Sequence, residues 1–312
     1  MFKGALPGFR DFYPQELAER AFIMKTWRDV ARRYAFLEYD GPPLEPLELY
    51  TRKSGAEIVG QLYNFVDKGA REVALRPEMT PTVARMVAAR ANALRKPVRW
   101  FSMPQLFRYE RQQKGRLREH YQLNVDIFGS NDVAADAELV ACAVDIMRAF
   151  GLTSHDVVVR VSDRRLLQAF LESIGVPTDS MGDVYGVIDK LDRTPREVSA
   201  EKLSALGVSA SAIERIVTIG EVSLAELQQQ LVNSPAAIHA AEFERYTSYV
   251  AALLGGDASW LKLDLSIVRG LAYYTGIVFE LFDRSGEFRA ICGGGRYDTL
   301  LQSLGGADMP AL

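Results

Sequence analysis

Residues 98–129, VRWFSMPQLFRYERQQKGRLREHYQLNVDIFG, gather side chains whose types and spacing could do chemistry. Between Arg108 and Arg118 stand Arg108, Arg111, Lys114, Arg116 and Arg118 against one acid, Glu110, in a chain whose formal net charge is −3. Cations concentrated on a slightly acidic protein suit an anion held locally, such as the phosphates of a nucleotide or the end of a nucleic acid. The alternative is a solvated, charged hairpin tip, which composition alone favours. Val98, Trp100, Phe101, Met103 and Leu106 lead into the loop. Tyr121, Leu123, Val125, Ile127 and Phe128 lead out, and Gly115 punctuates the middle. The pattern predicts two strands with a long basic tip.

A second candidate is Glu78. Residues 62–78, LYNFVDKGAREVALRPE, alternate on either side of Asp67-Lys68-Gly69 and predict a hairpin. Thr80 is placed to cap a helix starting at Pro81 with apolar positions Val83, Met86, Val87, Ala91 and Leu94. Glu78 would then sit at a strand end beside a helix N-terminus, where the helix dipole favours a carboxylate. A third block, WLKLDLSIVRGLAYYTGIVFELFD followed by EFRAICGGGRYDTLL, has two strand-like runs flanking Arg269-Gly270-Leu271. Another run leads into Gly293-Gly294-Gly295-Arg296-Tyr297-Asp298. In isolation the glycine triplet reads as a tight turn.

The remaining elements are those that must position these groups. Pro14 suits a first helical turn, and Leu17, Ala21, Met24, Trp27, Ala31 and Tyr34 give one apolar face on a helix ending near Phe36. FLEYDGPPLEPLELY follows as an extended segment broken by Pro42, Pro43 and Pro46. Asn131 or Asp132 can start a helix that Gly151 stops, with a strand at 157–163 and a further helix after it. From about 176 to 255 the chain is alanine-, serine- and glutamate-rich and reads as helices with short breaks. Strands near 260–268 and 273–282 complete an α+β pattern rather than repeated βαβ units.

With 312 residues and 48% hydrophobic content, the chain can bury a large domain and a smaller one. No apolar run reaches about 18–20 residues and no signal sequence is evident, so the expected location is the cytoplasm and no membrane is expected. The two cysteines, Cys142 and Cys292, and three histidines fit neither a disulfide framework nor a structural zinc. Any nucleic-acid contact must come from local patches, and no DNA is expected.

The order of residues carries more than their charge. RYERQQKGRLREHYQ, with Gln122 and Asp126 on the returning strand, resembles motif 2 of class II aminoacyl-tRNA synthetases and specifically the histidyl-tRNA synthetase version. LRPEMT resembles that family's LRPEGT, with Met79 in place of glycine. VRGLAYYTG followed by GGGRYD resembles the two peptides peculiar to histidyl-tRNA synthetases, with Ala272 where Asp is usual. The first helix and the proline-broken segment resemble motif 1, the homodimer interface. The likeness covers nearly all of residues 4–310.

The resemblance implies a class II aminoacyl-tRNA synthetase-like fold, α+β, with a mostly antiparallel sheet flanked by helices. Residues 1–168 and 258–312 would form the catalytic core, and 169–257 a helical insertion domain. The implied activity is ligation of histidine to tRNA(His), with ATP as substrate and Mg²⁺ on its phosphates. No protein metal site is implied. Partners would be histidine, the tRNA acceptor end and a second copy of the chain. Histidine would be bound by Glu78, Met79, Thr80, Arg108, Gln122, Asp126, Arg269, Tyr273 and Tyr274. ATP would be held by Arg108, Glu110, Arg116 and Arg269, with Arg108 and Arg269 catalytic at the α-phosphate and Tyr297 a secondary contact. Asp126 stands where the family more often has glutamate. The chain stops where motif 3 and the anticodon-binding domain would follow, so a fragment of a longer enzyme, lacking full activity, is expected. The alternative is a synthetase-like regulatory subunit of ATP phosphoribosyltransferase; a nucleotide-binding module of other purpose is the third reading.

Overall fold

The computed structural model of the chain describes residues 4–51, 59–110, 117–268 and 273–312. It divides into two compact units, one of Met1–Ser130, Leu271–Tyr273 and Asp298–Ala311, the other of Asn131–Gly270, Tyr274–Tyr297 and Leu312. In chain order the first unit contains α1 (Pro14–Arg33), β1 (Leu37–Glu38), β2 (Leu44–Pro46), α2 (Glu48–Thr51), β3 (Tyr63–Val66) and β4 (Glu72–Leu75). α3 (Thr80–Arg90), β5 (Val98–Ser102), β6 (Gln105–Phe107), β7 (Glu119–Tyr121) and β8 (Asn124–Phe128) follow.

α1 opens on Pro14 at a position whose amide would be unpaired in any helix. It stops where Ala35 takes a left-handed φ of 58°, which throws the chain into β1. Arg28 on α1 holds Glu38 on β1 through two 2.8 Å bonds. The apolar stripe of α1 is only partly buried: Ala31 is buried, Met24, Trp27 and Tyr34 are half-buried, and Leu17 and Ala21 are exposed, as are Phe22 and Ile23 off the stripe. Nothing among the described residues covers that end of the helix, so periodicity marks the apolar face without saying what meets it.

The arms of the expected basic hairpin form, in two sections, while residues 111–116 of its tip lie outside the described residues. β5 pairs with β8, and β6 pairs with β7, both antiparallel, with a break at Met103-Pro104 and Gln122-Leu123. β1 joins β5 in parallel, giving the sheet order β1-β5-β8. The 62–78 hairpin also forms. Asp67 accepts from Gly69 N at 2.8 Å and Arg71 N at 3.0 Å, closing β3 on β4. β2, which carries Pro46, takes the edge of the same sheet, where a missing amide breaks no ladder.

The second unit contains α4 (Val133–Ala149), β9 (Val157–Asp163) and α5 (Arg164–Ser173). Helices α6 (Met181–Ile188), α7 (Arg196–Ala205), α8 (Ala210–Val217), α9 (Leu224–Leu231) and α10 (Ala237–Leu253) come next. The unit ends with β10 (Leu261–Leu263), β11 (Ile277–Asp283) and β12 (Cys292–Gly295), and α11 (Leu300–Ser303) returns to the first unit. Asp132 caps α4, its carboxylate accepting from Ala134 N at 2.9 Å, and Gly151 ends that turn with φ 81°. β9 is buried at every position except Arg160, as expected for a strand covered on both faces, and it lies between β10 and β11. α10 packs along α4 through Phe243, Tyr246 and Val250, which recur at helical spacing.

Among the described residues the pairing is mostly antiparallel, β1–β5 and β10–β9 being parallel. This is the mixed, mostly antiparallel class expected. Two local expectations fail. The 260–268 strand stops at Leu263 because the Asp264 carboxylate accepts from Ser266 N at 3.1 Å and turns the chain. The glycine triplet is not a turn but part of β12, where Gly293, Gly294 and Gly295 stand opposite Glu280, Phe279 and Val278. A Cβ on Gly295 would come within 2.7 Å of Val278 Cγ1 and 2.8 Å of the Ile277 carbonyl oxygen, so close approach demands the glycine.

Candidate functional site

The first unit gathers several of the proposed site residues around the exit of β4. Pro77 ends the extended segment, Glu78 follows it, and α3 begins two residues later. Thr80 does not cap that helix. Met79 holds the N-cap position, Thr80 is the first helical residue, and no side-chain cap bond forms. The helix start therefore depends on Pro81 and on tertiary contacts.

Glu78 is 5% exposed, and Tyr273 Oη donates to its Oε2 at 3.0 Å. A buried carboxylate needs such partners. Arg108 lies at the end of β6, where its backbone N–H donates to Arg118 O at 2.9 Å across the hairpin. Its Nε donates to Pro77 O at 2.9 Å, so the guanidinium is anchored on the residue that precedes Glu78. Arg108 Nη1 lies 4.0 Å from Glu110 Oε1, beyond hydrogen-bond reach. The unit thus anchors the Arg108 guanidinium on the backbone carbonyl of the residue that precedes the buried Glu78.

Further along the hairpin, Gln122 donates from Nε2 to Asn124 Oδ1 at 2.8 Å. Asp126 on β8 is 3% exposed and stands opposite Trp100 on β5. Its carboxylate contributes, after burial, to holding the Tyr39 hydroxyl pKa above the ordinary tyrosine value. Met79 is fully buried, with Arg76 Nη1 3.8 Å from its sulfur. Tyr274 and Tyr297 are buried and belong to the second unit. Arg116 and Arg269 lie outside the described residues, as do Arg111, Lys114 and Ala272.

Three residues near these were not singled out as functional from sequence. Arg76 is buried and donates to Gly41 O at 2.7 Å, Gln105 O at 3.1 Å and Asp40 Oδ1 at 3.1 Å. It bolts the exit of β4 to β6 and to the loop before β2. A cation between Leu75 and Pro77 at a strand end was the available signal. Glu119 on β7 is likewise buried, accepting from Gln105 Nε2 at 2.7 Å and Arg10 Nε at 2.9 Å. His120 is held below the ordinary histidine pKa, first by burial and then by the Arg108 charge, and so stays neutral at pH 7. In the second unit, Arg296 of GGGRYD is buried against Asp136 on α4, with Nε 3.2 Å from Oδ1.

Known proteins are similar to the chain over nearly its whole length. The family model for histidyl-tRNA synthetase matches residues 8–312. The chain belongs to the histidyl-tRNA synthetase family. A histidine–tRNA ligase of Opitutus terrae is 46% identical over 99% of this chain and 71% of its own length. A chloroplastic and mitochondrial histidine–tRNA ligase of Arabidopsis thaliana is 44% identical over 97% of this chain and 62% of its own length. Among solved structures, a histidyl-tRNA synthetase from Nostoc covers 100% of the chain and is itself covered over 72%, with TM-score 0.85 and 26% identity. An ATP phosphoribosyltransferase regulatory subunit/histidyl-tRNA synthetase from Bacillus halodurans matches 100% of the chain and 80% of itself, with TM-score 0.85 and 22% identity. That last likeness establishes the fold alone.

Proposed function

We propose that this chain is the greater part of a histidine–tRNA ligase, which uses ATP to activate histidine as its adenylate and transfers it to the 3′ end of tRNA(His). The observation that carries this reading is the adjacency of Glu78 and Arg108 through Pro77. An amino acid whose ammonium group pairs with Glu78 has its carboxylate one carbon away. A guanidinium anchored one residue before Glu78 can take the phosphate that this carboxylate attacks.

In this mechanism Glu78, Thr80 and Gln122 receive the ammonium group, and Tyr273 keeps the Glu78 carboxylate aimed. Asp126 accepts from a ring N–H of the imidazole, and by resemblance Met79 lines the pocket and Tyr274 meets the ring. A side chain without that N–H would forgo this hydrogen bond to a buried carboxylate, which is the source of specificity. Arg108, joined by resemblance by Arg269, neutralises charge on the α-phosphate. A histidine carboxylate oxygen attacks the α-phosphorus, and pyrophosphate leaves with the bonding electron pair. The terminal tRNA hydroxyl then attacks the histidyl carbonyl and AMP departs. Glu110, Arg116 and Tyr297 are secondary contacts. No protein nucleophile is needed.

Mg²⁺ accompanies the nucleotide's phosphates. Among the described residues no group of three or more His, Cys, Asp and Glu side chains fits a metal ion, and none is assigned as its holder. Residues 169–257 serve as a helical insertion domain beside the tRNA, and the exposed apolar side of α1 serves a homodimer. No described helix is long and apolar enough to cross a membrane, which is compatible with work in the cytoplasm. The direct test is aminoacylation: the full-length protein should charge tRNA(His) with radiolabelled histidine in the presence of ATP. Absence of charging from a folded protein that binds histidine would favour the regulatory-subunit reading instead.

A further inference from the structure

Arg296 stands just past the end of β12, and three of its groups bind three different places in the second unit. Its amide donates to Ile277 O at 2.9 Å, which carries the β11–β12 ladder one residue beyond the last glycine. Its carbonyl accepts from Thr275 N at 2.8 Å and from Thr275 Oγ1 at 3.3 Å. Its guanidinium grips the Asp136 carboxylate as a fork, Nε on Oδ1 at 3.2 Å and Nη2 on Oδ2. One residue thus bolts the end of β12 to the approach to β11 and to the first turn of α4. The residues adjoining these bonds are tyrosines given to the amino-acid pocket: Tyr274 precedes Thr275, and Tyr297 follows Arg296. Both are buried. A Cβ on Gly295 would come within 3.0 Å of Tyr274 Cδ1, so the Tyr274 ring lies against the backbone of the residue before Arg296.

Stability is a poor account of the pair. Asp136 is 4% exposed and Arg296 6%. Burying both charges costs desolvation that their attraction does little more than offset, and apolar residues of similar volume serve such a place equally well or better. The surroundings are already apolar. A void of about 10 Å³ beside Asp136 and Gly295 is lined by Leu139, Ile277, Phe279 and Leu312, with room for about one water. What a two-point fork supplies, and an apolar contact lacks, is a fixed direction. α4 gives it a firm base: Asp132 caps that helix, and the positive end of the helix dipole favours the Asp136 charge in the first turn.

We propose that Asp136 and Arg296 are positioning residues for histidine binding: their buried ion pair fixes the end of β12 against α4 and thereby the placement of Tyr274 and Tyr297. Neither side chain touches a substrate; both act through the backbone that carries the tyrosines. The proposal rests on the ligase reading, which gives those tyrosines to the amino-acid pocket. It separates the arginine of GGGRYD from Arg108 and Arg269, the arginines given to the α-phosphate.

The test uses the full-length protein with Asp136→Asn, Arg296→Met and the double variant Asp136→Leu with Arg296→Met. Each single change strands one buried partner and should lower the melting temperature. The double change removes both charges, so it should fold with a melting temperature level with the parent's or above it. Calorimetric titration of the double variant with L-histidine should nevertheless show about a tenfold loss of affinity, the size of one well-oriented hydrogen bond. In pyrophosphate exchange its KM for ATP, set by Arg108, should stay within about twofold of the parent's. A merely structural pair gives a different result: a stable double variant that binds histidine as the parent does. Unchanged histidine affinity in the folded double variant overturns the proposal, as do equal losses for histidine and ATP. A double variant that does not fold overturns it too, since the pair then serves stability. A parent that binds histidine without exchange sinks the ligase reading, while the histidine affinity of the double variant still decides the positioning role. A parent that binds no histidine overturns both.

Discussion

Glu78, only 5% exposed, accepts from Tyr273 Oη and lies beside the start of α3. Glu78→Gln keeps the shape and removes the charge, so histidine should bind more weakly by about 1.5–3 kcal/mol, the range for a charge-assisted hydrogen bond. A histidine KM within twofold of the parent, measured by pyrophosphate exchange, would remove Glu78 from the ammonium site. His120 gives a pH prediction. Its pKa is lowered by burial and by Arg108, so between that lowered value and the ordinary one the unfolded chain binds more protons than the folded protein. Its stabilising contribution is present above the ordinary histidine pKa and is lost as pH falls through the lowered one. Between about pH 7 and about pH 5 the parent should lose more stability than His120→Phe, and parallel pH slopes in denaturant melts would contradict this. At this scale the sequence was legible where a residue has a local job. Asp132 as a cap and Asp67 in its turn were both readable from neighbours alone. Arg76 and Asp136 were not, because their partners are residues distant in sequence.

At the scale of elements, the longest strands and helices follow their patterns. β9 was readable as a run of valines, and the basic hairpin as two alternating arms around a glycine. β12 was hidden because three glycines offer no side-chain alternation to read; only the partner strand reveals why Gly295 is a glycine. Gly295→Ala should therefore destabilise the protein by about 1–3 kcal/mol, the usual cost of overpacking, since the nearest obstacles include backbone. A melting temperature equal to the parent's would contradict that account. Arg76 ties the exit of β4 to β6, and Arg76→Leu should cost about 1–3 kcal/mol by leaving the Gly41 and Gln105 carbonyls without this donor. The same substitution should lower adenylate formation, because Arg108 is anchored on Pro77, one residue away. Full activity in a destabilised Arg76→Leu protein would show that the anchor is not what sets Arg108.

For the whole molecule, α1 presents Leu17, Phe22 and Ile23 to solvent within this chain, although its period marks it as an amphipathic helix. The homodimer proposal accounts for them. Replacing Phe22 and Ile23 together by aspartate should convert a dimer of the full-length protein to monomer in light scattering, and an unchanged mass would contradict the assignment. Family membership was legible from ordered strings rather than composition, since RYERQQKGR, LRPEMT and the RGLAYY and GGGRYD pair combine chemistry with spacing. The most direct test of the central claim is ATP–pyrophosphate exchange by the full-length protein against a panel of the twenty amino acids. It requires both small substrates and no tRNA. Exchange with histidine alone is the predicted result. Exchange with another amino acid, or none from a folded protein that binds histidine, would contradict the ligase account.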